Sequence, residues 1–551
     1  MASRRMLSGN EAIALGAWEA GTVVGCGYPG TPSTEILEAL RTFPDVYTEW
    51  SVNEKVALEV GLGASYAGGR TLVTMKHVGV NVAADPLFTA AYTGVNAGLV
   101  VVTADDPSMH SSQNEQDNRH YAVAAKVPLL EPSDSAEART FTRLAFELSE
   151  AFDTPVLLRT TTRLSHSKGI VTDVALDVVP ERHPVGIRRD PRKYVMVPGN
   201  ARLRRLEVEA RLERLREAVE THPANVVERR SPAVGVITSG VPYTYVREAM
   251  PDASVLKLGI VHPLPRRLIE EFAASVDTLY VVEELDPVIE TQVKAWGLAC
   301  HGKDLLPEVG ELSPQALRIA LLDVAATPLP TAGLAVPPRP PQLCAGCPHG
   351  HVFTVLHELD VVVSGDIGCY SLGVLPPYHA MDTLVDMGAS LTMAQGMDIV
   401  LGTGDRPRVA AVIGDSTFAH SGLTGLLNAV WNKRDGLYIV LDNGTTAMTG
   451  TQPNPLSGER MGRENSSALS YRALAAAVGV PPENVAVVDG HDKAAITTAI
   501  ADLIERPGVK LLAAVSLCVI EAKDLRKVGK YDEKRAWREL ELLPSGAGHH
   551  A

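Results

Sequence analysis

The chain has 551 residues, 45% hydrophobic and 21% charged, with a formal charge of −14. That length suits about three or four domains of ordinary globular composition. Because phosphate backbones and anionic lipid surfaces need clustered Lys and Arg, the acidic balance argues against nucleic acid as a partner and a membrane surface as a site.

No run approaches the ~18 apolar residues of a membrane span. The N-terminal "MASRRMLSGNEAIALGAWEAG" lacks a continuous apolar stretch before an export cleavage site. Six scattered cysteines make no secreted disulfide framework. A cytoplasmic protein with thiol or metal-bound cysteines is expected.

In chain order, "GTVVGCGYP" (21–29), "RTLVTMKHVG" (70–79), "AGLVVVTADDP" (97–107) and "TPVLLRTTT" (154–162) are short apolar runs between helical patterns. Runs apolar on both faces and separated by helices imply a buried parallel sheet. After the first of them, Thr31 suits a helix N-cap and Pro32 a first helical residue. Residues 200–221 have an apolar stripe amid alternating charges, which predicts an amphipathic connector helix. Three further strands follow at "AVGVITSG" (233–240), "SVLKLG" (254–259) and "DTLYVVEEL" (277–285), then a proline-rich linker at 329–342. The last region has strands at "PRVAAVIGDS" (407–416), "GLYIVLDN" (436–443) and "VKLLAAVSLC" (509–518), and a mixed-charge tail that reads as a frayed surface helix.

The strongest chemical signal is "VIGDSTFAHSGLTGLLNAVWNKRDGLYIVLDNGTTAMTG" (412–450). One strand ends in Gly414-Asp415-Ser416 and the next in Asp442-Asn443, and ligands collect at such carboxyl ends. Asp415 and Asn443 offer two hard oxygens suited to Mg²⁺ on a diphosphate, and Gly414 and Gly444 permit close backbone approach. Simple helix capping by the same residues is the plain alternative. The pattern resembles the thiamine diphosphate signature, which would add the Thr445 backbone carbonyl to the magnesium ligands.

That cofactor also calls for a glutamate on its aminopyrimidine ring, where a carboxylate promotes the tautomer that activates the thiazolium. Glu54, in "EWSVNEKVALEVGLGASYAGGRTLVTMKHVG", is the candidate, with Glu49 and Glu59 as competitors. Together "GYPGTPSTEI", "VNEKVALEVGLGASYAGGRTLVTMKHVG", "TADDPSMHSSQNEQDNR", "LCAGCPHGH", "GDIGCYSLG" and "IGDSTFAHSG" resemble the large subunit of indolepyruvate ferredoxin oxidoreductase. The resemblance implies a multidomain α/β fold, with two thiamine-binding parallel-sheet domains flanking a smaller transketolase-C-like domain. The expected bounds are a pyrimidine-binding domain at 1–190, linker helix and transketolase-C-like domain at 191–335, and a diphosphate-binding domain with iron–sulfur ligands at 336–551. By the same resemblance Thr31 lines the substrate pocket. His110 and Gln113, in a polar loop at the same sheet edge, are substrate-side candidates set against plain loop packing.

In the wider family a CxxC, a third cysteine and one distant cysteine hold a [4Fe–4S] cluster; Cys344, Cys347, Cys369 and Cys518 match that order. Cys₄ or Cys₂His₂ zinc, the latter with His349 and His351, is the runner-up and buried thiols come third. Cys26 and Cys300 read as core residues. The resemblance implies oxidative decarboxylation of a 2-oxo acid, an aryl pyruvate such as indolepyruvate, to an acyl-coenzyme A, with a small second subunit and a homodimer of this chain within a hetero-oligomer. Relatives end in a ferredoxin-like segment, whereas no cysteine follows Cys518. Electrons are therefore expected to leave to a ferredoxin or another acceptor. The alternatives are a non-oxidative thiamine-dependent decarboxylase or lyase, and a non-catalytic cofactor-binding subunit of an electron-transfer complex.

Overall fold

A computed structural model of the chain describes residues 4–172, 185–325, 337, 339–401, 408–467 and 469–542. Most of the proline-rich linker, and the terminal His549 and His550, lie outside these residues. The chain divides into two compact units, residues 1–332 and 333–551. No helix among the described residues is long and apolar enough to cross a membrane.

The first unit opens with α1 (Gly9–Glu19), β1 (Val24–Gly27), α2 (Thr34–Leu40), β2 (Tyr47–Trp50) and α3 (Glu54–Tyr66). It continues through β3 (Thr71–Lys76), α4 (His77–Val82), α5 (Ala84–Thr93), β4 (Leu99–Asp105), α6 (Arg119–Ala125), β5 (Leu129–Leu130), α7 (Ser135–Phe152) and β6 (Val156–Thr161). Every residue of β3, β4 and β6 is buried, as the two-sided apolar runs require of a sheet covered on both faces. A helix α8 (Pro198–Val219) then leads to β7 (Val226–Glu228), β8 (Ser231–Ser239), β9 (Ala253–Leu258), β10 (Ile260–His262) and β11 (Thr278–Val282). The helix buries Val208, Leu212, Leu215 and Val219, but Leu203 and Leu206 from the expected apolar stripe are 64% and 68% exposed.

The larger sheet has the order β10-β5-β6-β4-β3-β1-β2, and the smaller one β11-β8-β9-β7. All pairings in the larger sheet are parallel except β10, which adds antiparallel to β5. That strand follows directly on β9 of the smaller sheet, so the chain stitches the two sheets together. A buried ionic network joins them as well. Arg159 on β6 donates to Asp105 at 2.6 Å and to Glu131 at 2.6 Å. Arg119 ion-pairs with Asp117 and with Glu283 just beyond β11.

The second unit runs α9 (His349–Glu358), β12 (Val362–Gly365), β13 (Thr383–Leu384), α10 (Ala389–Leu401), β14 (Val409–Gly414), α11 (Leu423–Trp431) and β15 (Gly436–Asp442). It ends with α12 (Tyr471–Val478), β16 (Val485–Asp489), α13 (Lys493–Glu505), β17 (Val509–Val515), α14 (Val519–Lys527) and α15 (Tyr531–Leu542). Its sheet is parallel throughout, in the order β13-β12-β14-β15-β17-β16. The sequence implies a strand running to Cys518 beside the strand that ends in Gly414-Asp415. The structure differs twice: the strand stops at Val515, and it lies beside β15. The register explains the stop, because Val515 is paired with Asp442, the last residue of β15.

Candidate active site

In the second unit, Asp366, Asp415 and Asn443 directly follow β12, β14 and β15, three neighbours in the sheet, and Asp442 is the last residue of β15. Asp415 is buried and accepts a hydrogen bond from Asn454 Nδ2 at 3.1 Å. Burial pushes its carboxyl up, opposed by the nearby Arg538 guanidinium and by that hydrogen bond. Asn443 Oδ1 accepts from the Thr445 amide at 3.1 Å, and its Nδ2 donates to His349 Nε2 at 3.4 Å. Ser416 Oγ accepts from Thr446 Oγ1 at 2.9 Å. Gly444 lies at φ +77°, a left-handed turn that brings its backbone round after the strand. Gly414 has a different reason: a Cβ there would come within 2.5 Å of the Tyr370 ring. After Asp415 the helix widens into a π-type turn at Phe418–Gly422, a distortion common at functional sites.

The four cysteines come from separate segments of this unit. Cys344 and Cys347 precede α9, Cys369 follows β12, and Cys518 caps α14. Burial pushes the Cys347 thiol up to about 11, and the charges of Cys518 and Cys344 push in the same direction. Burial likewise takes Cys369 up to about 12, with Cys518, Cys347 and Cys344 all contributing. Cys518 is also raised by burial, with a contribution from Cys344. The chain therefore brings the four into mutual electrostatic range. Cys518 donates its backbone N–H to the Asn443 carbonyl at 2.9 Å, which ties this group to the Asp415–Asn443 corner. His349 faces Asn443, and the His351 ring lies edge-on to His491 at 6.3 Å. Among the described residues, no group of three or more His, Cys, Asp or Glu is placed to hold a metal ion. Cys26 gives its thiol to the Ala57 carbonyl at 3.1 Å in the core, and Cys300 packs at the edge of that core.

In the first unit, Asn53 caps α3 by accepting from the Val56 amide at 2.9 Å, and Glu54 is the first helical residue. Glu54 is 4% exposed, and a Cβ on Gly79 would meet its Oε1 at 2.6 Å. Only glycine at that position leaves the carboxylate its place. Glu59 instead lies on the surface in an ion pair with Lys55, and Glu49 accepts from Tyr47 and Ser51 on β2. Thr31 precedes a cis peptide to Pro32, and the helix starts later than expected, at Thr34 after Ser33. His110 reaches outward to Glu311 at 3.3 Å, and Gln113 is half-buried in the same loop.

Two side chains that sequence reading passed over stand in these corners. Arg538, on the tail expected to be a frayed surface helix, is 4% exposed. It ion-pairs with Asp442 and donates to the Leu456 carbonyl at 2.9 Å. Burial brings the guanidinium down to about 10, against the pull of Asp415 and Glu541. Lys534, Arg538 and Glu541, spaced four and three apart, are buried on one side of α15 among the described residues. A polar stripe at helical spacing was the available signal, but charge masks it. Lys76, the last residue of β3, is the other.

A family model for the C-terminal thiamine pyrophosphate-binding domain of thiamine pyrophosphate enzymes matches residues 366–514. The thiamine diphosphate-binding model of pyruvate flavodoxin/ferredoxin oxidoreductases matches 15–222. Two such modules on parallel sheets define a thiamine diphosphate-dependent 2-oxo acid oxidoreductase. Over 94% of its length the chain is 41% identical to the indolepyruvate oxidoreductase subunit IorA of Thermococcus kodakarensis, covering 86% of that protein. It is 42% identical to the Archaeoglobus fulgidus IorA over 95% of this chain and 88% of that one. The chain belongs to the indolepyruvate oxidoreductase IorA family. A solved 2-oxoglutarate:ferredoxin oxidoreductase from Magnetococcus marinus, with 2-oxoglutarate, coenzyme A and succinyl-CoA bound, aligns at 17% identity and TM-score 0.47, over 54% of this chain and 61% of that one. The IorA relatives are named as subunits of that oxidoreductase.

Proposed function

We propose that the chain oxidatively decarboxylates an aryl pyruvate such as indolepyruvate, passing the acyl group to coenzyme A and the electrons through a [4Fe–4S] cluster to a ferredoxin or another acceptor. Thiamine diphosphate, when bound, supplies the nucleophilic carbon and the electron sink for decarboxylation. In this reading Asp415, Asn443 and the Thr445 carbonyl hold Mg²⁺; the donors are all oxygen and buried, which fits a hard cation. Gly414, Ser416 and Gly444 border the diphosphate. Glu54 holds the proton at the aminopyrimidine nitrogen, and its burial beside Gly79 keeps water from that exchange. Thr31, His110 and Gln113 remain on the substrate side. Cys344, Cys347, Cys369 and Cys518 would ligate the cluster, four thiolates being its usual ligand set. We keep the three-domain division at 190 and 335, a cytoplasmic setting, and a homodimer of this chain completed by a small second subunit.

The observation that carries the reading is the convergence of the four cysteines beside the Asn443 backbone. Iron and acid-labile sulfide analysis of anaerobically purified Cys518→Ser and Cys300→Ser tests it. Cys518→Ser should lose iron and sulfide while Cys300→Ser keeps both. Full iron in Cys518→Ser, or stoichiometric zinc in the native protein, would overturn the ligand set.

A further inference from the structure

The geometry points to Lys76 as the residue that binds the carboxylate of the 2-oxo acid, an inference that rests on the 2-oxo acid reading above. Lys76 ends β3, a central strand of the larger sheet, at the carboxyl edge where parallel sheets gather ligands. It is 9% exposed. Its Nζ donates to the Ser111 carbonyl at 2.6 Å, with the Ser111 hydroxyl at 3.5 Å. An ammonium carries three donors, so these contacts leave capacity unused. Among the described residues no carboxylate is within ion-pair reach of Nζ.

One acid, Asp106, acts on Lys76 through space. Its own oxygens accept from the Ser111 amide at 2.9 Å, Ser112 Oγ at 2.5 Å and Thr162 Oγ1 at 2.7 Å. The other cations of this region are committed: Arg119 and Arg159 to the ionic network, Arg163 and His110 to Glu311. A buried ammonium without a counter-ion is costly, and a methionine would fill the same space without that cost. An anionic ligand resolves the imbalance. The position fits a substrate carboxylate: the turn before Thr31 packs on the lysine, a Cβ at Gly30 coming within 3.0 Å of Lys76 Cβ. Helix α4, starting immediately after Lys76, carries the Gly79 that faces Glu54.

The test compares wild type, Lys76→Met and Lys76→Arg in the complex of this chain with its partner subunit, loaded with Mg²⁺ and thiamine diphosphate. Phenylpyruvate serves as substrate, with its neutral amide as a binding probe. Lys76→Met should raise KM about 10- to 100-fold, the range for a lost hydrogen bond to a charged group. Its kcat should hold or rise, because a cation on a departing carboxylate stabilises the ground state. Thiamine diphosphate affinity should not change, and the preference for the acid over the amide should vanish. Lys76→Arg should keep that preference.

A pH profile separates this from a packing role. Burial brings the Lys76 ammonium down to about 8, with Asp106 pulling it up. The other groups facing it stay fixed in that window: burial holds His77 down at about 4 and therefore neutral, and hydrogen bonds hold Asp106 low. Wild-type KM should therefore rise as pH passes about 8, and Lys76→Arg should not show the rise. Unchanged KM and an intact acid-over-amide preference in Lys76→Met would overturn the assignment. Lys76-dependent binding of the acid without turnover in the wild type would keep the site and remove the reading beneath it.

Discussion

Glu54 and Glu59 lie five positions apart on one helix, and only their surroundings separate them. The spacing of "VNEKVALEVG" leaves both open as the cofactor's glutamate; the fold buries one behind Gly79 and pairs the other with Lys55 at the surface. Burial of a first-turn carboxylate depends on α4, which no local pattern announces. Glu54→Gln should leave thiamine diphosphate binding largely intact and cut 2-oxo acid turnover about 10²–10⁴-fold, the usual range for a positioned acid–base group. Steady-state rates beside a cofactor titration check this, and near-normal turnover would move the role elsewhere. His110 is not separated in this way. A histidine in a polar loop reads equally as a substrate contact or as loop packing, and here its ring lies 3.3 Å from the largely buried Glu311.

At the scale of elements, strands with two buried faces were legible because apolar runs leave no other reading. Short or charged elements were not. β10 has three residues and joins its sheet antiparallel, and α15 shows a charged sequence while burying Lys534, Arg538 and Glu541. Arg538→Ala would leave Asp442 and Asp415 without their buried counter-charge, and breaking such a pair costs about 3–5 kcal/mol. The second unit should unfold at a correspondingly lower denaturant concentration, and α15 should become open to protease; an unchanged unfolding midpoint would show the helix to be dispensable.

Beside the ionic network of the first unit, the buried Glu284 carboxyl, which accepts from the Leu312 amide at 3.0 Å, carries a pH dependence. Burial pushes Glu284 up to about 7 from an unfolded value near 4.5. A raised carboxyl stabilises the fold fully below the unfolded value, and that contribution is lost as pH rises through the folded one. The wild type should therefore unfold at falling temperature from pH about 4.5 to about 7, and Glu284→Gln should flatten that part of the profile. An unaltered slope in the variant would assign the dependence to other groups.

Across the whole molecule, the two cofactor modules could be read in order because each places its chemistry at the end of an apolar strand. What the sequence hid was how the last cysteine arrives. Cys518 comes in on a loop beyond β17, fixed to the Asn443 carbonyl, and no strand carries it beside β14. That tie places Cys518 beside the proposed magnesium corner. The direct test is a single anaerobic turnover: the chain, loaded with Mg²⁺ and thiamine diphosphate, is mixed with an aryl pyruvate while CO₂ release and visible absorption are followed together. The account predicts CO₂ release accompanied by one-electron bleaching of a brown chromophore. CO₂ release with no chromophore, or with one that stays oxidised, would contradict it.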